Sequence, residues 1–102
     1  QMNNTSLNTF HADVQTAEKP VIVDFWSPSC PPCRQLLPVL TELSNEGMPI
    51  FKVSVDTEQE LTSHYHIEYL PTLVLFNKGQ EVARLVGMQS KETIINFYAQ
   101  AT

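Results

Sequence analysis

The sequence predicts an α/β fold, a central mixed β-sheet of four to five strands flanked by helices on both faces. Three observations point there. VIVDFW (21–26) is an unbroken apolar run with β-branched and aromatic residues, which marks a strand buried on both faces. Strand-like runs alternate with segments of helical periodicity, as crossover connections require. The last two strand-like runs meet at Lys78-Gly79, a turn signal that makes them a hairpin.

The elements follow in the order αβαβαββα. Residues 6–18 (SLNTFHADVQTAE) read as a helix capped by Ser6, with Leu7, Phe10 and Val14 at helical spacing. The strand 21–26 comes next. From Pro32 to about Glu46 a second helix places Leu36, Leu40 and Leu43 on one face; Gly47 ends it and Pro38 should kink it. PIFKVSVD (49–56) is a second strand, EQELTSHY (58–65) a short helix and TLVLF (72–76) a third strand. EVARLVG (81–87) returns as the hairpin partner, and Ser90 caps a last helix bearing Ile94, Ile95, Tyr98 and Ala101. Helix-linked strands imply parallel pairs, and the hairpin adds an antiparallel edge. A fifth strand ahead of Ser6 is left open, because MNNT is short and polar.

The totals narrow the function. A chain of 102 residues, 42% of them hydrophobic, suits one domain spanning 1–102 with a modest core. The net charge is −5 and no Lys/Arg run exists, which argues against nucleic acid as a partner. No apolar run approaches the roughly 20 residues of a membrane span. The N-terminal QMNNTSLNTF lacks the basic start and apolar stretch of a signal peptide. That favours a cytoplasmic location, although a matured periplasmic or secreted chain would read the same way.

Both cysteines of the chain sit in WSPSCPPCRQL. A disulfide closing so short a loop stabilises little, so a structural bridge is the weaker reading. Zinc needs four ligands, and His64 and His66 lie in a separate segment; neither they nor His11 are expected to bind metal. The remaining reading is a redox pair. Cys30 falls where the first strong strand meets its helix, at the carboxyl end of a central strand. Free N–H groups and the helix dipole favour a thiolate there, and Arg34 adds positive charge, so Cys30 is the expected nucleophile. Cys33, inside the first turn, is expected to be buried and to resolve the mixed disulfide. Pro32 suits the first helical turn, while Pro31, preceding a proline, is biased to an extended conformation. Together they stiffen the loop and remove two N–H donors.

VDFWSPSCPPCRQLLPVL, FKVSVD, YLPTLVLFNKG and Val86-Gly87 together resemble the thioredoxin family, over nearly the whole chain from about Phe10 to the last helix. The resemblance implies the thioredoxin fold and a thiol–disulfide oxidoreductase that reduces protein disulfides and needs no cofactor. It implies disulfide-containing protein substrates, thioredoxin reductase as electron donor, and a monomer. Asp24, a carboxylate mid-strand, should titrate high if unpaired. The resemblance makes it the proton acceptor for Cys33, with Lys52 beside it; a structural Asp24–Lys52 ion pair is the plainer alternative. Pro71 matches the family's cis-proline, exposing the backbone of Leu70 to an extended substrate segment. Trp26 is expected to pack beside the site, with a plain core aromatic as the alternative, and Gly87, matching the family's glycine after the last strand, is counted with the substrate-binding residues. Ser29 stands where the family usually has Trp, and Pro31 where it usually has Gly, so both bear on substrate choice and redox poise. Other readings are a periplasmic TlpA-type reductase, in which C-P-P-C-R is frequent, a disulfide oxidant or isomerase, and a redox-silent binding module.

Overall fold

A computed structural model describes residues 2–102; Gln1 lies outside it. Five strands form one sheet, β1 (Asn3–Asn4), β2 (Val21–Trp26), β3 (Ile50–Ser54), β4 (Thr72–Asn77) and β5 (Gln80–Val86), in the spatial order β1-β3-β2-β4-β5. The helices are α1 (Pro31–Asn45), α2 (Gln59–His64) and α3 (Lys91–Ala99). The fifth strand is therefore real, though only two residues long. β1 runs parallel to β3, where its backbone pairs Asn3 with Phe51 and Asn4 with Lys52.

The pleat divides the apolar residues between two cores. Ile22, Leu73, Leu75 and Ile50 face α1 and α3, packing on Leu36, Leu40, Leu43, Ile94 and Phe97. Val21, Val23, Phe25, Val53, Val74 and Phe76 face the other way, onto Phe10, Val14 and Leu61. Both faces of β2 are covered, which is why its sequence is apolar without alternation. At the far end of α1, Gly47 adopts φ +105° and its N–H bonds the Ser44 carbonyl, while Met48 N–H bonds that of Leu43. This is a Schellman stop. α1 runs through Pro38, which is exposed, so the bond it cannot donate is lost on the outer surface.

Three expectations are corrected. The first helix contracts to a π-helical turn, His11–Gln15, where Thr16 N–H reaches back to the His11 carbonyl. Phe10 and Val14 are buried, but Leu7 falls outside the turn and is exposed. Second, β4 runs antiparallel to β2, not parallel. The six-residue α2 rises only about 9 Å, against roughly 17 Å for a five-residue strand. α2 by itself does not carry the chain back along the sheet, and β4 enters from the end where β3 leaves. Third, Pro31 is the first residue of α1, and Cys30 before it is the extended one, with φ −99° and ψ 111°. The fixed φ of proline suits the first helical position, and this outweighs the bias imposed by the following proline.

Candidate active site

The carboxyl ends of β2 and β3, the start of β4 and the N-terminus of α1 meet at one end of the sheet. β2 pairs there with Ser54 of β3 through Trp26 and with Thr72 of β4 through Phe25. The chain leaves β2, turns through residues 27–30, and begins α1 with Cys30 as its N-cap.

Cys30 and Cys33 form a disulfide, with Cα atoms 5.2 Å apart. Cys30 is half-buried and Cys33 fully buried. The Cys33 N–H points at Cys30 Sγ, 3.3 Å away. A helix N-terminus thus donates directly to the accessible sulfur, as the spacing predicts. Arg34 donates from Nη1 to the Pro28 carbonyl at 2.9 Å. Pro31 and Pro32, at the first two helical positions, bring no N–H to compete for that sulfur.

Asp24 lies mid-strand on the α1 side of the sheet, fully buried, and neither carboxylate oxygen has a hydrogen-bond partner. Burial pushes its carboxyl up from 3.8 to about 7, with the positive charge of Lys52 pulling the other way. Lys52 pairs with Asp24 in strand register. Its Nζ, however, lies over the Trp26 ring, 5.1 Å from the centroid, and makes no ion pair with the carboxylate. The structural ion pair therefore does not form, and a cation–π contact takes its place. Trp26, partly exposed, keeps a buried indole N–H without a partner.

The Leu70–Pro71 peptide is cis. Pro71 is buried, and its carbonyl accepts the Gly87 N–H at 2.8 Å, which ties the end of β5 to this loop. Gly87 sits at φ +93°, a conformation that favours glycine. Leu70 N–H and C=O have no hydrogen-bond partner among the described residues. Tyr69, Val86 and Met88 are exposed apolar residues flanking these segments. Ser29 is exposed and bonds the buried Ser27, which bonds Asp56. Sequence reasoning missed Ser27 and Asp56. The signal was the proline content of 28–32, which leaves few donors and makes each remaining polar group matter. His11, His64 and His66 are exposed, and among the described residues no group of three or more His, Cys, Asp or Glu is placed to hold a metal ion.

The thioredoxin family model matches residues 1–100. The chain belongs to the thioredoxin family. It is 41% identical over 100 residues to thioredoxin C-2 of Corynebacterium nephridii, covering 95% of this chain and 93% of that one. It is 39% identical over 90 residues to a bifunctional thioredoxin reductase/thioredoxin of Mycobacterium leprae, covering 85% of this chain and 20% of that longer protein. The crystal structure of Malassezia sympodialis thioredoxin matches with a TM-score of 0.86 at 26% identity, over 99% of this chain and 90% of that one. The fold is the thioredoxin fold, and the chain is a thiol–disulfide oxidoreductase with its cysteine pair at disulfide distance. The TlpA-type, oxidant and binding-module readings gain no support from these relatives. No helix among the described residues is long and apolar enough to cross a membrane.

Proposed function

We propose that this thioredoxin-family chain acts as a single-domain monomer that reduces disulfides in partner proteins, Cys30 attacking, Cys33 resolving and Asp24 accepting the Cys33 proton. The supporting observation is the asymmetry of the pair at the head of α1. One sulfur is reachable and faces a donated N–H, and the other is enclosed.

In the reduced protein the Cys30 thiolate is favoured by the Cys33 N–H and the helix dipole. It attacks one sulfur of the target disulfide. That S–S bond breaks, its electron pair leaves on the second target sulfur, and a Cys30–target disulfide forms. Cys33 then gives its proton to Asp24, through a water, since Cys33 makes no hydrogen bond to that carboxylate. The Cys33 thiolate attacks Cys30 Sγ and expels the first target sulfur. The cysteine pair is oxidised by two electrons and the target reduced by two. One proton from Asp24 and one from solvent complete the two target thiols. A carboxyl poised near 7 suits this transfer at neutral pH.

An extended target segment would pair with the free N–H and C=O of Leu70, beside Pro71. Trp26, Ser29, Pro31 and Gly87 line its approach, and Lys52 moderates Asp24. Electrons come from thioredoxin reductase, a partner suggested by the name of the bifunctional Mycobacterium leprae relative. A reducing cytoplasm suits a dithiol donor. The test is trapping with a disulfide-bonded protein such as insulin. Cys33→Ser should accumulate a covalent adduct that dithiothreitol releases, and Cys30→Ser should form none. A Cys33→Ser protein that forms no adduct refutes the assignment.

A further inference from the structure

The loop that carries Cys30 is short of donors. Pro28, Pro31 and Pro32 have no N–H. Between Ser27 and the helix, only Ser29 and Cys30 can donate from the main chain, and both converge on Ser27. The Ser29 N–H reaches Ser27 Oγ at 3.3 Å, and the Cys30 N–H reaches the Ser27 carbonyl at 3.1 Å. Ser27 is buried, and its hydroxyl donates to Asp56 Oδ2 at 2.8 Å. Asp56 lies just beyond β3, so this bond joins the loop to a different element. The other tie of the loop, Arg34 Nη1 on the Pro28 carbonyl, is exposed to water.

The direction of these bonds is determined by chemistry. A carboxylate only accepts, so the Ser27 proton points to Asp56. The Ser27 lone pairs are left for the Ser29 N–H and the Ser29 hydroxyl, whose oxygen is 3.0 Å away. Without Asp56 the Ser27 hydroxyl can turn only to the Ser29 oxygen within the same loop, and the loop loses its bond to the segment beyond β3.

We propose that Ser27, oriented by Asp56, is the positioning residue for the attacking sulfur. It sets the path of residues 27–30 and therefore the aim of Cys30 at the target disulfide. The inference rests on the reductase reading above. Displacement at sulfur demands aligned reacting atoms, and a misplacement of about 1 Å costs on the order of 100-fold in rate. Loosening the loop also removes preorganisation that favours the closed disulfide.

The test compares the parent with Ser27→Ala, Asp56→Ala and Asp56→Asn. Three quantities are read: the rate of the reduced protein with insulin, the ultraviolet titration of the Cys30 thiolate, and the reduction potential in glutathione buffers. Ser27→Ala should slow insulin reduction by about 10-fold. It should also shift the couple about tenfold toward the dithiol, which is about 30 mV less negative. Asp56→Ala should slow insulin reduction and make the potential less negative as Ser27→Ala does, and Asp56→Asn, which keeps an acceptor oxygen, should restore most of the loss. Asp56 is exposed, so its variants decide the matter even if Ser27→Ala does not fold. Ser27→Ala and Asp56→Ala proteins that unfold earlier in urea yet match the parent in rate, titration and potential overturn the proposal. A parent inactive on insulin defeats the reductase reading instead; the titration and potential still decide the role of Ser27, because no protein substrate enters them.

Discussion

Replacing Asp24 by Asn should stabilise the oxidised protein, by an amount that grows with pH. Asp24 is fully buried with both oxygens unpartnered, and its carboxyl is raised from 3.8 to about 7 by desolvation. Below pH 3.8 the folded and unfolded chains both hold the proton, and the group contributes nothing. Between 3.8 and about 7 the unfolded chain ionises while the folded one stays protonated, so stability falls as pH rises. From about pH 8 upward, one unit above the folded value, both are ionised and the penalty is complete. At about 1.4 kcal/mol per pH unit across that interval, it reaches about 4 kcal/mol. Asn has nearly the same shape and does not titrate, so any fixed cost of its buried amide cancels between pH values. Urea unfolding of the two oxidised proteins between pH 4.5 and 8.5 reads the difference. The Asn variant should gain steadily and level off above about pH 8. A difference that stays flat across the range would refute the reasoning, because it would show that Asp24 ionises as readily folded as unfolded.

Lys52→Met should raise the Asp24 carboxyl further and push the levelling point of the same experiment to higher pH, since the lysine charge opposes the desolvation. Gly87→Ala should cost about 1–2 kcal/mol, read as a lower urea midpoint at unchanged slope. A Cβ there meets nothing within 4 Å, so the cost comes from the backbone at φ +93°. Leu40→Ala, under α1 with no exposed surface, should cost about 2–5 kcal/mol in the same assay.

Legibility followed the range of the interactions. VIVDFW could be read as a central strand because burial on both faces leaves a local mark. Ser90 could be read as a cap because its partner, the Thr93 N–H, is three residues away. The direction of β4 depended on how far α2 could carry the chain, and nothing in TLVLF itself records that. β1 was hard to see because Asn3 and Asn4 contribute backbone pairing to β3 and bury no apolar side chain. The cysteine pair stood out because strand, turn and helix cap are contiguous. Asp24 stood out as a carboxylate in an apolar run, but its missing ion pair was not legible. That depended on Lys52 choosing the face of Trp26 over the carboxylate. Ser27 and Asp56, 29 positions apart, looked like ordinary loop residues until the fold joined them.

The unpartnered buried side-chain polar atoms among the described residues collect on β2, the strand that leads to Cys30 at one end of the sheet. They are the two oxygens of Asp24 and the indole N–H of Trp26. The opposite end is built by ordinary rules, with a Schellman stop after α1 and a bond from the Tyr98 hydroxyl to the Pro20 carbonyl. A buried carboxylate without a partner persists only where the surrounding fold is stable enough to hold it. Here the strands on either side of β2 and two apolar cores supply that support. If Asp24 served only the fold, Asn or Leu would serve better at neutral pH. The raised carboxyl is what the proposed role as proton acceptor for Cys33 requires. Stabilising Asp24 variants should therefore be the ones that slow release of the reduced target.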